Sequence, residues 1–216
     1  MVQVRRAIFD ERAELAELLA GFDTAKWDAA TLCRGWRVRE VVAHITVPFR
    51  MTGTRFAVEL LRAGGNFHRV SQHTARVDAA TMSPGDLLKS LWDNVGHPWK
   101  PPSSGYLHAL GHDVVHGLDI TVALGLDRKV PQDRLRLVLN MINPRWIDFF
   151  GTDLTGVELR ADDLDWSYGS GAVVTGNAQD LLLVACGRTL PARKLRGDNA
   201  ARFTRSRRRA KRRRGH

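Results

Sequence analysis

Residues 105–125 read GYLHALGHDVVHGLDITVALG. The segment is predicted to be a helix closed by Gly125. His112 and His116, four apart, lie about 40° apart around such a helix and one turn apart along it, so they share a face. Imidazoles held this way both reach one metal ion. His44 sits inside a second helical pattern, VREVVAHI. Two packed helices would then supply three nitrogens and leave one coordination position open, as metal-assisted chemistry requires and a closed structural zinc site does not. His108 extends the stripe to His108, His112 and His116, so either adjacent pair is a candidate ligand pair. Asp113 and Asp119 flank His116, where carboxylates can orient metal-bound imidazoles or serve as ordinary helix charges.

Working outward, residues 5–22 place Ile8, Leu15, Leu18 and Leu19 among charges, the pattern of an amphipathic helix. A loop containing the turn CRGW (Cys33 to Trp36) leads into a second helix over residues 38–62, kinked after His44 by Pro48. A polar helix follows over residues 68–80. Ser83 and Pro84 open another over residues 87–95. Three prolines then make residues 97–105 a loop. After residue 125, Pro131 opens a helix to Phe150 that is interrupted near Pro144. Beyond Gly151 the pattern shifts to short alternating strands around Val157–Arg160, Leu164–Tyr168 and Ala172–Val174, with hairpin signals at the Gly169-Ser170-Gly171 turn. Residues 177–187 return to helix. The fold class is therefore α+β. Residues 1–150 form a helical bundle, 151–198 a small β-plus-helix domain, and 199–216 a disordered basic tail.

Composition sets the limits. Of 216 residues, 44% are hydrophobic and 26% charged, enough for one good core. No apolar run approaches the roughly 20 residues of a membrane span, and the N-terminus lacks the apolar core of a signal peptide, which argues for the cytosol. Two cysteines, Cys33 in a turn and Cys186 in an apolar helix, read as reduced packing residues. The net charge of +10 belongs to the tail: nine Lys/Arg and no acid lie from Arg202 onward, leaving 24 basic and 23 acidic residues elsewhere. Such a tail can contact nucleic acid weakly and non-specifically through released counterions. The protease motif HExxH, CxxC pairs, the P-loop and GxGxxG are all absent.

Three blocks together resemble the mycothiol-dependent maleylpyruvate isomerase family, a branch of the DinB/YfiT-like metal-binding superfamily. The first runs from Thr31-Leu32-Cys33-Arg34-Gly35-Trp36 to His44 and resembles the family's turn into its first metal histidine. The second is His112-Asp113-Val114-Val115-His116-Gly117-Leu118-Asp119-Ile120, similar to the second metal helix, where better-known members place a glutamate at the position of His112. The third, Asp163 to Ser167 with Gly169-Ser170-Gly171 and Gly187-Arg188, resembles the small C-terminal domain.

The resemblance implies a DinB-like four-helix bundle and a divalent metal, zinc above all, on His44, His112 and His116. It also implies mycothiol as co-substrate, its thiol activated by the metal to attack a small electrophilic substrate in an isomerase or S-transferase reaction. His108 becomes a lining residue. Trp36 is the candidate for the cofactor pocket or for anchoring the turn. Arg188 is the catalytic candidate, able to grip a carboxylate bidentately. A monomer or homodimer without membrane attachment is expected. The rival readings are a metal-binding protein without turnover and a nucleic-acid-associated protein led by the tail.

Overall fold

The structure, a computed structural model, describes residues 2–101 and 104–205. The opening amphipathic pattern forms α1 (Val2–Ala20), which buries Ile8, Leu15 and Leu19 along one stripe. Arg12 lies on that stripe and is just as buried. α2 (Thr24–Trp27) is a single turn whose Asp23 cap accepts the Lys26 N–H at 2.8 Å.

The sequence predicts one kinked helix over residues 38–62. Two helices form instead, α3 (Val38–Arg50) and α4 (Gly53–Arg62). Pro48 has no N–H to give the His44 carbonyl, which weakens the last turn of α3. The chain then turns extended at Met51, and Thr52 caps α4 by accepting the Arg55 N–H at 3.2 Å. α5 (Phe67–Thr81) and α6 (Pro84–Trp92) follow as expected. Ser83 and Asp86 bind each other's backbone N–H reciprocally at the start of α6. α3 packs against α5 and α6, and α1 against α6. α7 (Tyr106–Ala123) buries Leu110, Val114, Leu118 and Ile120 completely, and Gly125 closes it in the left-handed region at φ 68°.

The chain divides into two compact units, residues 1–120 and 121–216. In the second, α8 (Gln132–Leu139) and α9 (Pro144–Phe150) precede β1 (Val157–Ala161), β2 (Ser167–Gly169), β3 (Ala172–Gly176), α10 (Ala178–Ala185) and β4 (Leu195–Arg196). Many helices together with one small four-stranded sheet are the expected α+β class.

The sheet order is β2-β1-β3-β4, with β1 antiparallel to β2 and parallel to β3. The Gly169-Ser170-Gly171 turn therefore joins no hairpin. It carries the chain across the end of β1, and only glycine fits there. A Cβ on Gly169 would stand 2.4 Å from the Val157 carbonyl oxygen, and one on Gly171 2.3 Å from that of Gly156. Both have positive φ, 90° and 128°.

The basic tail begins later than residue 199. Asp198–Phe203 forms a 3-10 turn in which Ala200 and Phe203 are buried. The Leu190 N–H donates to the Phe203 carbonyl, and the Arg205 N–H to that of Leu190, each at 2.8 Å. The lone aromatic of the segment anchors it. The expected disorder of residues 206–216 lies outside the described residues. No helix among the described residues is long and apolar enough to cross a membrane.

Candidate metal centre

His44 is carried by α3, whose buried face holds Val38, Val41, Val42 and Ile45. Glu40 fixes the start of that helix by accepting the Arg37 N–H at 2.7 Å. His112 and His116 stand one turn apart on α7, half-buried at 16% and 13% side-chain exposure. The three imidazoles converge. Ring centroids lie 4.9 Å apart for His44 and His112, 4.8 Å for His44 and His116, and 4.7 Å for His112 and His116. His108 stays exposed and outside the cluster, so the imidazoles brought together are those of His44, His112 and His116.

The His112 and His116 imidazoles are each tied at Nδ1 to a buried carboxylate. Asp113 Oδ1 lies 2.9 Å from His112 Nδ1, and Asp119 Oδ2 lies 3.0 Å from His116 Nδ1. An ionised carboxylate only accepts, so Nδ1 carries the proton and Nε2 keeps its lone pair. His112 Nε2 then faces His44 Nε2 at 3.1 Å. Ligand bonds of 2.0–2.1 Å in a tetrahedral zinc site separate neighbouring nitrogens by about 3.3 Å. The donor set and its spacing thus fit a shared divalent cation.

The carboxylates are themselves held. Asp113 Oδ2 accepts Arg12 Nε at 2.7 Å, with both side chains almost completely buried. Burial acts most strongly on the Asp113 carboxyl and pushes it up, but the bond from His112 and the Arg12 charge together hold it below the usual range. Asp119 Oδ2 also accepts from the Cys33 thiol at 2.9 Å, and the same sulfur lies 3.7 Å from His116 Nδ1. Cys33 is therefore more than the packing residue its turn position suggests. Cys33, His116 and Asp119 form a second group of potential ligands sharing one imidazole with the first. Cys186 is buried at the end of α10, as read.

The CRGW turn is bolted to α7. The Leu32 N–H donates to the Asp119 carbonyl at 3.1 Å, the Thr31 N–H to the Trp36 carbonyl at 3.0 Å, and Gly35 takes φ 79°. The turn delivers the buried Trp36 ring to 5.1 Å from His44 and 6.5 Å from His116. Trp99, in the proline-rich loop, packs edge-on to His112 at 5.3 Å. No spacing rule pointed to Trp99. Arg12 did leave a signal, a charge on the apolar stripe of Ile8, Leu15 and Leu19. Arg188 lies in the second unit beyond α10, where it donates to the Cys186 carbonyl at 2.8 Å and stands 5.9 Å from the Phe150 ring.

Residues 8–121, more than half of the chain, match the family model described as mycothiol maleylpyruvate isomerase N-terminal domain. Two solved structures share the fold over 92% of this chain and 92% of theirs. One is the crystal structure of the mycothiol-dependent maleylpyruvate isomerase, at TM-score 0.56 and 16% identity. The other is a histidine-to-alanine mutant of that enzyme, at TM-score 0.55 and 15% identity. A comparison with curated proteins gives no match.

Proposed function

We infer function from one premise, that the chain belongs to the mycothiol maleylpyruvate isomerase family. We read it as a metal-dependent enzyme that uses mycothiol against a small electrophilic substrate, as an isomerase or S-transferase. The helical unit is read as a DinB-like four-helix bundle, and the enzyme as cytoplasmic. The observation that carries the reading is the paired arrangement at His112. Its Nδ1 is anchored on a buried carboxylate and its Nε2 stands 3.1 Å from a second imidazole nitrogen.

His44, His112 and His116 would hold the cation, and zinc suits three imidazoles with an open position. A divalent cation in such a site lowers the pKa of a thiol presented to it, so that the nucleophile is available near neutral pH. The chain's own residues do the rest. Asp113 and Asp119 keep the Nδ1 protons in place and so keep Nε2 directed inward. Trp36 and Trp99 wall the imidazoles with apolar surface and limit water, and Trp36 also offers a face to the co-substrate. Arg188 is assigned to a carboxylate of substrate or thiol, through the planar fork of its guanidinium.

The test is metal content of the protein purified without added metal or chelator, beside His44→Ala and His116→Ala. About one equivalent of zinc in the wild type, lost in both variants, is expected. A wild type that is metal-free and cannot be loaded would overturn the reading. Mycothiol should then raise the melting temperature of the holo-protein when present well above its dissociation constant.

A further inference from the structure

Arg12 is a fully buried cation in the helical unit. Its Nη2 has no hydrogen-bond partner among the described residues. Buried ion pairs rarely stabilise a fold more than apolar residues of the same volume would. A leucine at position 12 would simply complete the stripe of Ile8, Leu15 and Leu19. Stability alone therefore does not account for an arginine there.

Its contacts account for it better. Nε donates to Asp113 Oδ2 at 2.7 Å, while the other oxygen of that carboxylate receives His112 Nδ1 at 2.9 Å. Nη1 donates to the His97 carbonyl at 2.8 Å, in the loop that carries Trp99 against His112. The guanidinium carbon lies 4.9 Å from the centre of the Phe49 ring, on the same helix as His44. One cation thus joins α1, α3, α7 and the loop, and its contact with Asp113 lies one hydrogen bond from His112. A guanidinium can do this because its donors diverge in a fixed plane, and an ammonium cannot serve all three directions equally.

We propose that Arg12 is a positioning residue of the metal centre, which holds the Asp113 carboxylate in place so that His112 presents Nε2 to the cation. The proposal rests on the metal reading above. It makes the metal affinity of the site depend on a side chain of α1 that touches no ligand.

The test compares wild type, Arg12→Met, Arg12→Lys, Asp113→Asn and the double variant Arg12→Met with Asp113→Asn. Zinc affinity is read by competition with a chromophoric chelator, the visible bands of bound cobalt report coordination geometry, and urea unfolding of the metal-free proteins reports stability. Loss of such an outer partner typically weakens metal binding about 10- to 100-fold. That loss is expected for Arg12→Met and for Asp113→Asn, with altered cobalt bands, and the double variant should be no weaker than the worse single one. Arg12→Lys should recover most of the affinity, because its charge still reaches Asp113. Should Arg12→Met fail to fold, Arg12→Gln takes its place, keeping a neutral donor of similar reach. Zinc affinity in the Arg12 variant within about twofold of wild type, with stability alone lowered, would overturn the proposal. So would losses that multiply in the double variant. A wild type that binds no zinc would overturn the metal reading itself, which separates the two failures.

Discussion

Asp119→Asn should uncouple the metal site from the fold around it. Asp119 is fully buried, and its Oδ2 takes two bonds, from His116 Nδ1 at 3.0 Å and from the Cys33 thiol at 2.9 Å. The backbone bond from Leu32 to the Asp119 carbonyl does not involve the side chain, so the CRGW turn stays docked in the variant. An asparagine offers one oxygen and one NH2 at the same place. If the oxygen faces His116, the bond survives but loses its charge. If the NH2 faces His116, the imidazole must move its proton to Nε2 and surrender the lone pair meant for the cation. Either way the partner of a metal-bound imidazole is weakened, an effect worth about 10- to 100-fold in affinity, or about 1.4–2.7 kcal/mol. Zinc affinity by chelator competition is the assay, with the unfolding midpoint of the metal-free protein as control. Cys33→Ala should cost less than Asp119→Asn, because it removes only the neutral donor on the carboxylate. Wild-type zinc affinity in Asp119→Asn would refute the reasoning, since His116 would then need no support at Nδ1.

Three further outcomes test other parts of the molecule. Gly171→Ala should destabilise the second unit by about 2–4 kcal/mol, from the strained backbone and the forced contact with the Gly156 carbonyl; an unchanged melting curve would refute the crossing geometry. Asp180 is buried, its Oδ1 lacks a hydrogen-bond partner among the described residues, and burial pushes its carboxyl up despite Lys194 at 3.5 Å. The native state therefore holds that proton more tightly than the unfolded chain, and stability falls as pH rises through the folded pKa; Asp180→Asn should remove this loss and raise the melting temperature at neutral pH, whereas a lower one would show that the Lys194 pair dominates. Deleting residues 206–216 should abolish any salt-sensitive binding to DNA while leaving zinc content unchanged; binding that persists at high salt without them would assign it to the folded units.

Much of the helical unit was legible because helix signals are local. Ser83, Pro84 and Gly125 each act within four residues, and the helix start and stop they mark lie where the pattern put them. The histidine pair was legible for the same reason, since a 3.6-residue repeat fixes which side chains share a face. The sheet was not. Alternation identifies β1 and β3 as strands but carries no record of partner or direction. The glycine turn looked like a hairpin because crossing a strand end demands the same positive φ as a tight turn. Only the coordinates separate the two cases, through the carbonyls that a Cβ would strike. Phe203 shows the limit of composition: one aromatic buried in the second unit outweighs the charge that surrounds it.

The site itself was only half legible, and the missing half is the more informative. A search for ligands looks for histidines at helical spacing and stops there. The groups that make those imidazoles usable come from far along the chain, Arg12 from about a hundred residues away and Cys33 from more than eighty. They also determine how charge reaches the centre. A glutamate at position 112 would place a full negative charge on the cation. Here the nearest carboxylates stand one hydrogen bond further out, and Asp113 is already paired with a buried cation. On the proposed site, three neutral nitrogens would leave the cation's charge less compensated than a carboxylate ligand would, and a less compensated cation favours an anionic fourth ligand more strongly. His112→Glu should for that reason weaken thiol binding to the metal-loaded protein even where zinc itself is retained. Unchanged or tighter thiol binding in that variant would show that the charge at the centre is set elsewhere.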